Sequence, residues 1–274
     1  SERYIFTQME AITRAIFKPE DDYILDYRDD DGQQVEPVYY APIIPMLLVN
    51  GTKGIGTGFS TDVLSYNPVE IIECFTERLA LKGKEDGFKW RDIHPYYRGF
   101  NGTISELSHG RYLVKGCYKK QSEVKVHVTE LPVGFWTEDF KQHLENLVDN
   151  ANKSKAKGKP SPQIIKEYKD MSTDVTVDFT ITFNGNYLKE LEEESYEDGV
   201  YNGVDKLLKL YGFQNTSNMN LFDPTDRLKK YASTGEIMED FYGKRLEMYE
   251  KRRENLIHCK QEQVMLLSNK ARYI

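Results

Sequence analysis

The C-terminal stretch from Glu236 to Ile274 constrains the fold most, because it contains no proline and a single glycine, Gly243. Its apolar residues recur at spacings of three and four, or at sums of these, which is the period of one helix face. The stretch therefore predicts one long helix, or two in line, and helices longer than about 25 residues usually pair with another element. The apolar positions are Met238, Phe241, Met248, Leu256, Cys259 and Leu266.

The middle of the chain predicts an α/β domain in which helices cover a sheet. Apolar and polar residues alternate from Val175 to Phe183, which is typical of a strand with one buried face. The other predicted elements are strands at Gly102–Leu107, Arg111–Cys117 and Val124–Leu131, a helix capped by Thr137 that carries Phe140, Leu144 and Leu147, and a polar, basic loop at Asn152–Pro162.

The N-terminal part predicts short elements broken by prolines and glycines. The spacing of Ile5, Met9, Ile12 and Ile16 predicts a helix that ends before Pro19. Two extended runs, Tyr23–Tyr27 and Gln33–Tyr40, flank the turn Asp30-Asp31-Gly32 and predict a β-hairpin. Met46–Val49 is interpreted as a short buried strand. Asn67, Pro68 and Glu70 form a helix-start signature for a helix that carries Ile71, Ile72, Phe75 and Leu79 and stops near Gly83.

Composition excludes several classes of protein. The longest apolar run, Ala41–Val49, is broken by two prolines and is far shorter than the roughly 20 residues of a membrane span. A net charge of -7 argues against simple coating of nucleic acid, although charge acts locally. The three cysteines are an odd number without a C-x-x-C motif, so we expect neither a disulfide framework nor a zinc site, and we expect an intracellular protein.

No set of metal ligands is predicted from the sequence. The acidic turn Asp29–Asp31 is expected to face solvent, because no clustered partner accompanies it. The histidines show no ligand spacing; they are His94, His109, His127, His143 and His258.

Arg3 and Tyr4 stand at the start of the chain as a candidate nucleophilic pair. A phenol has an unperturbed pKa of about 10 and needs a cation to stabilise its phenolate and the phosphate that it attacks. Arginine suits this task because its planar fork binds phosphate with two hydrogen bonds. The dipeptide is common, however, and a tyrosine at a helix start is more often a packing residue.

The stretch Gly51–Gly58 has four glycines in eight residues and is the second candidate. It lacks the Gly-Lys-Ser/Thr ending of a P-loop and the spacing of a dinucleotide loop, which argues against a nucleotide site. Ile55, between two glycines, is either an exposed wedge that kinks a duplex by entering between base pairs, or a core residue in an ordinary tight turn.

An ordered series of motifs resembles the breakage–reunion region of eukaryotic-type DNA topoisomerase II, a type IIA enzyme. Each motif is weak alone, whereas their common order along the whole chain is far more specific. They are Arg3–Thr7, Val35–Pro37, Pro42–Met46, Val49–Gly51, Gly54–Gly58, Glu130–Pro132, Trp136–Thr137, Leu221–Asp223, Leu228–Tyr231 and Asn269–Ile274. Lys53 and Phe59 depart from the family, where an acidic residue and a tryptophan are common, and Glu2 departs from a small residue or proline.

The resemblance implies roles for these residues. Tyr4 would attack a DNA phosphodiester and hold the 5′ end, Arg3 would stabilise the transition state, and Ile55 would intercalate. It also implies DNA contacts from the segment Lys209, Leu210, Tyr211, Gly212, Phe213, Gln214, Asn215, Thr216, Ser217 and Asn218.

The resemblance further implies a multidomain α+β fold. Residues 1–95 would be the C-terminal part of a winged-helix domain, residues 96–232 an α/β tower domain, and residues 233–274 the start of a coiled-coil helix.

The expected partner is double-stranded DNA, with no membrane, and the full-length enzyme would be a homodimer that uses Mg²⁺ and ATP. Residues of this fragment would bind neither cofactor, and the isolated fragment is expected to be inactive because the metal site would lie outside it. The resemblance implies the nucleus in a cellular eukaryote, or the host cell or virion for a viral protein. A non-catalytic DNA-bending or scaffold module of the same fold is the alternative.

Overall fold

The computed structural model describes residues 7–81, 88–156 and 162–274. In chain order its elements are α1 (Thr13–Ile16), a 3₁₀ helix (Pro19–Ile24), β1 (Tyr27–Asp30), β2 (Gln33–Pro37), α2 (Met46–Asn50), β3 (Thr52–Gly56), β4 (Phe59–Val63), α3 (Pro68–Ala80), β5 (Thr103–Ser108), β6 (Arg111–Lys115), β7 (Cys117–Ser122), β8 (Lys125–Glu130), α4 (Thr137–Ala156), β9 (Ile165–Asp170), β10 (Phe179–Phe183), α5 (Tyr187–Glu193), β11 (Ser195–Tyr196), a second 3₁₀ helix (Glu197–Gly199), β12 (Tyr201–Asn202), α6 (Gly203–Leu207), β13 (Tyr211–Asn215), β14 (Met219–Phe222), β15 (Leu228–Tyr231) and α7 (Thr234–Tyr273).

These elements divide into two compact units. The first unit combines the chain up to Tyr96 with Asn218–Ile274, and the second unit is Tyr97–Ser217. The tower domain was predicted to extend to residue 232, whereas residues 218–232 lie with the first unit in the structure. The assignment of winged-helix, tower and coiled-coil domains stays a prediction.

The first unit begins with less helix than its apolar spacing predicted. Only Thr13–Ile16 is α-helical, Met9 and Ile12 are each 65% exposed, and Ile5 lies outside the described residues. The predicted β1–β2 hairpin is confirmed, with Asp30 opposite Gln33 across the turn. Its bounds were predicted wrongly: Tyr23–Tyr27 shares only Tyr27 with β1 because Pro19–Ile24 forms a 3₁₀ helix, and the second strand ends at Pro37 instead of Tyr40.

Met46–Val49 was predicted as a strand and that prediction is wrong, because Met46–Asn50 forms the short helix α2. The helical turn points Leu48 into the core, where it is fully buried, and lets its carbonyl accept a 2.7 Å hydrogen bond from Tyr66 N. Periodicity cannot separate a short buried strand from a single helical turn in such a short apolar run.

The predicted start of α3 is confirmed, since Asn67 Oδ1 accepts a hydrogen bond of 2.9 Å from Val69 N. Its buried face differs from the prediction. Ile71, Cys74 and Arg78 are buried, whereas Ile72 and Leu79 are 48% and 57% exposed. The predicted stop at Gly83 lies outside the described residues.

The long C-terminal helix is confirmed as a single helix, α7, of 40 residues. Ser233 caps it, with Oγ accepting a hydrogen bond from Glu236 N. Its buried residues end at Met248, and beyond that point Leu256 and Leu266 are 45% and 56% exposed. In the described part of the chain, no helix combines the length and apolar composition that crossing a membrane requires.

The second unit contains an antiparallel four-stranded sheet, in the order β7-β8-β10-β9, and an antiparallel three-stranded sheet, in the order β13-β6-β5. Its core includes Phe140 and Leu144 of α4, both fully buried as predicted, against Phe179 and Ile181 of β10. The covered sheet is therefore antiparallel and fixes the unit as a mixed α and β structure.

Two boundaries in the second unit were predicted wrongly. Val175 is 91% exposed and strand β10 begins only at Phe179, because a turn closed by Thr173 N and Thr176 O precedes it. The predicted loop at Asn152–Pro162 is helical as far as Ala156, and residues 157–161 lie outside the described part.

Candidate functional site

Arg3 and Tyr4, the predicted nucleophilic pair, lie outside the described residues. Their roles stay predictions. The described candidates are the glycine-rich stretch with Ile55 and the segment Lys209–Asn218.

The glycine-rich stretch forms a β-hairpin in which β3 and β4 pair antiparallel and Ile55 lies opposite Ser60. Ile55 is 93% exposed, so its alternative interpretation as a core residue is wrong. Gly58 closes the turn with φ of 82°. The ring of Phe59 packs over Gly56, since a Cβ there would lie 2.5 Å from it and would force the ring to move. The hairpin therefore holds a large apolar side chain out in solvent.

Lys53 shares the exposed face of this hairpin, since side chains two residues apart on a strand point the same way. Its side chain is 83% exposed, and its Nζ lies 3.2 Å from Oδ2 of Asp62, its cross-strand neighbour. Exposed pairs of this kind contribute only about 0–1 kcal/mol, so Lys53 stays available to an anion.

Strand β14 supports the hairpin from one side. Asp62 N donates to Asn218 O at 2.8 Å, and the side-chain amides of Asn218 and Asn220 both donate to Ser60. The rings of Phe59 and Phe222 meet edge to face with centroids 6.0 Å apart.

The predicted DNA-contacting segment has a mixed environment. Lys209 is exposed with φ of 53°, whereas the side chain of Leu210 is fully buried in the core of the second unit and offers no surface. Tyr211 stacks on Tyr201 with ring centroids 4.2 Å apart, and Gly212 is partly buried.

The outer half of that segment carries its exposed groups. Phe213 is 41% exposed beneath the guanidinium of Arg111, whose Cζ is 4.5 Å from the ring centroid. Gln214 accepts a hydrogen bond from Tyr97, and Thr216 N donates to Gly110 O. Asn215 and Ser217 are exposed, and Asn218 belongs to the first unit. DNA contact by the ten residues stays a prediction.

Sequence reasoning missed a buried ionic cluster between the N-terminal segment and α7. Asp21 is 2% exposed and accepts hydrogen bonds of 2.7 Å from Arg245 Nη2 and from Arg252 Nε. Arg245 Nη1 also donates to Ala41 O at 3.3 Å. No local pattern could have revealed this cluster, because Asp21 and Arg245 are 224 positions apart.

A second cluster, also missed, fastens the β14–β15 hairpin to α7. The carboxylate of Asp240 accepts hydrogen bonds from Lys229 Nζ at 2.8 Å and from the hydroxyl of Tyr231 at 2.7 Å. Burial alone would raise the pKa of Asp240, but these two donors lower it below its ordinary value. Burial, and then the hydrogen bond to Asp240, raise the pKa of the Tyr231 phenol far above its ordinary value.

The described residues do not fit a metal site. No group of three or more histidine, cysteine, aspartate or glutamate side chains comes together among them in a way that could hold an ion. We therefore assign no chemical step to a metal held by the described residues.

Comparison with known proteins agrees with the sequence motifs. The family model for the A subunit of DNA gyrase/topoisomerase IV matches residues 1–274. DNA topoisomerase 2 of Penicillium chrysogenum is 35% identical over all of this chain and 16% of its own length. DNA topoisomerase 2 of Arabidopsis thaliana is 38% identical, again over all of this chain and 17% of its own length. The chain thus spans about a sixth of the length of these relatives.

The fold agrees as well. The crystal structure of the Plasmodium falciparum topoisomerase II DNA-binding, cleavage and re-ligation domain matches 98% of this chain and 34% of that chain, with a TM-score of 0.85 and 36% identity. Full coverage by the family and by relatives above 30% identity leaves one assignment: the chain belongs to the DNA topoisomerase II family, as part of its breakage–reunion region.

Proposed function

We propose that the complete protein is an ATP-dependent type II DNA topoisomerase that cleaves one duplex, passes a second duplex through the break and religates the first. The proposal is carried by one observation on the described residues: Ile55, 93% exposed, stands on a hairpin whose strands are braced by a neighbouring strand. In a chain of this family, an apolar group presented in this way suits insertion into stacked bases.

The proposed work of Ile55 is mechanical. Entry of an apolar side chain between base pairs partly unstacks them and kinks the duplex, at a cost of a few kcal/mol per step. Removal of the isoleucine from water offsets part of that cost by about 2 kcal/mol. Lys53, on the same hairpin face, would contribute attraction to a phosphate.

The proposed chemistry belongs to Tyr4 and Arg3. The phenolic oxygen of Tyr4 would attack the phosphorus of one phosphodiester, forming a 5′-phosphotyrosine. The phenol gives up its proton, the bond to the 3′ oxygen breaks, and that oxygen takes up one proton and leaves as a 3′ hydroxyl. The guanidinium of Arg3 would stabilise the charge that builds on the phosphate oxygens. In religation the 3′ hydroxyl attacks the phosphotyrosine, so each of the two steps exchanges one phosphoester bond for another.

We propose duplex DNA as the partner and a homodimer as the assembly of the complete protein, acting inside the cell, in the nucleus if the source is a cellular eukaryote. The family resemblance also leads us to propose Mg²⁺ and ATP as cofactors of the complete protein. Neither is assigned to a described residue, and the fragment by itself is proposed to be inactive.

The test of catalysis is Tyr4→Phe in the complete protein. Covalent protein–DNA linkage, trapped with denaturant and resolved on a gel, should disappear, while DNA affinity measured by fluorescence anisotropy stays within about twofold, because the substitution removes one oxygen. Phe6→Tyr combined with Tyr4→Phe controls for a neighbouring phenol taking over. Linkage that survives Tyr4→Phe would sink the assignment and favour the non-catalytic DNA-bending or scaffold module.

A further inference from the structure

The residue opposite Ile55 is held by two side-chain amides. Ser60 is the cross-strand partner of Ile55. Its Oγ accepts a hydrogen bond of 3.0 Å from Asn218 Nδ2, and its carbonyl oxygen accepts one of 2.8 Å from Asn220 Nδ2. Asn220 Nδ2 also donates to Asn218 Oδ1 at 2.8 Å, so three residues form one closed set of hydrogen bonds.

These amides meet Ser60 because of strand geometry. Asn218 and Asn220 are two positions apart along an extended segment, which places their side chains on one face. The amide of Asn220 has two N–H groups, and the contacts to Ser60 and Asn218 match that number. Met219, between them, is fully buried and anchors the segment from its opposite face.

The β3–β4 hairpin needs such a brace. A two-stranded hairpin is only marginally stable by itself in water. The Lys53–Asp62 pair is exposed and contributes little to its direction. Strand β14, by contrast, pairs with β15, and β15 is fastened to α7 through Tyr231 and Asp240. The amides therefore connect the wedge hairpin to a long helix.

We propose that Asn218 and Asn220 are positioning residues for the Ile55 wedge. By fixing Ser60 they set the direction of the hairpin before DNA arrives, so that insertion bends the duplex instead of the hairpin. This inference rests on the proposed insertion of Ile55. It gives the side chain of Asn218 a task inside the protein, distinct from the DNA contact that the sequence predicts for it.

The test compares Asn220→Leu with wild type in the complete protein, using a duplex labelled at both ends. The apolar variant keeps the size and charge of the site, and removes the donor to Ser60 O. We expect a bent-to-unbent ratio, from fluorescence transfer, about three- to tenfold lower. We expect faster hydrogen exchange at the β3–β4 amides. Affinity, from anisotropy at fixed salt, should change less than the bent-to-unbent ratio.

Asn184→Leu is the matched control, because Asn184 Nδ2 donates to the carbonyl of Gln163 at 2.7 Å in the other unit. Asn184→Leu should leave DNA bending and hydrogen exchange at the β3–β4 amides unchanged. In an Ile55→Ala background, Asn220→Leu should have no further effect on bending, since the wedge is already absent.

The outcomes separate the wedge function of Ile55 from the positioning role of Asn218 and Asn220. If Ile55→Ala bends DNA as wild type does, the wedge function is wrong and the positioning role falls with it. If Ile55→Ala abolishes bending while Asn220→Leu changes neither bending nor hairpin exchange, only the positioning role is wrong. If Asn220→Leu weakens affinity equally with and without Ile55, Asn220 contacts DNA directly and the positioning role is again overturned.

Discussion

Asp21 and Arg245 form an ion pair in which both side chains are almost fully buried, with Oδ2 of Asp21 2.7 Å from Nη2 of Arg245. Arg252 contacts the same carboxylate, and the guanidinium groups of both arginines lie over the ring of Tyr249. The pair fastens the segment that follows Tyr4 in the sequence to the packed part of α7. Removing Asp21 leaves the buried guanidinium of Arg245 without its counter-charge, which costs far more than an exposed pair contributes.

Asp21→Ala should therefore lower the free energy of unfolding by about 3–5 kcal/mol. Urea denaturation measures this free energy, with the fluorescence of Trp90 as the signal. The measurement uses a Trp136→Phe background, because Trp90 lies in the first unit and Trp136 in the second. The control is Asp22→Ala, whose exposed pair with Arg14 should cost less than about 1 kcal/mol. Equal losses in the two variants would refute a special contribution from the buried pair.

Ile55→Ala should leave stability almost unchanged while it reduces DNA bending. An exposed side chain contributes little to folding, so the expected change in the free energy of unfolding is within about 0.5 kcal/mol. Ile71→Ala provides the contrast, since Ile71 is fully buried and its truncation should cost about 2–5 kcal/mol. A large loss of stability in Ile55→Ala would return Ile55 to a packing role.

Lys53→Gln should weaken the salt dependence of DNA binding. If Lys53 neutralises one phosphate, the slope of log affinity against log salt becomes shallower by about 0.9. Anisotropy titrations at several salt concentrations measure the slope. Lys260→Gln, at an exposed position on α7, should leave it unchanged. An unaltered slope in Lys53→Gln would mean that Lys53 makes no phosphate contact.

The Asp240 cluster should make stability depend on pH at both ends of the scale. The pKa of Tyr231 is raised, so its contribution is complete below the unfolded value near 10 and is lost as pH rises towards the folded pKa. Tyr231→Phe should therefore lose less stability than wild type between about pH 9 and pH 11.5.

At acid pH, stability changes with pH in the opposite direction. The pKa of Asp240 is lowered, so its contribution is present above about pH 4 and is lost as pH falls through the folded pKa. Asp240→Asn should flatten the acid limb of urea stability against pH. Parallel pH curves for wild type and both variants would show that the cluster adds no pH dependence to the free energy of unfolding.

Local signals predicted the elements that depend on local chemistry. Asn67 caps α3 because its side chain reaches a backbone N–H two residues away, and the absence of proline permits the whole of α7. Met46–Val49 was assigned wrongly because one apolar turn carries no period. Val175 was assigned to a strand because the alternation of apolar and polar residues already begins in the turn that precedes β10.

The candidate site depended on information that local sequence does not contain. The glycines around Ile55 were compatible with an exposed wedge and with a core residue, and the 93% exposure of Ile55 in the folded hairpin decides between them. The hydrogen bond from Asn220 to Ser60 joins residues 160 positions apart. Tertiary contacts of this separation leave no periodic trace, so the resemblance to a family could identify Ile55 but not what braces it.

The unsupported length of α7 has a mechanical consequence. Its buried residues end at Met248, Arg252 still contacts Asp21, and the helix then continues to Tyr273. At a rise of 1.5 Å per residue, the part beyond Arg252 extends roughly 32 Å. A tilt of about 10° at its base would move the tip by roughly 6 Å, about the pitch of one helical turn. A change too small to disturb the contacts of Asp240 or Arg245 becomes a displacement of several ångströms at the far end, so α7 acts as a lever with its fulcrum beside the Asp21 ion pair.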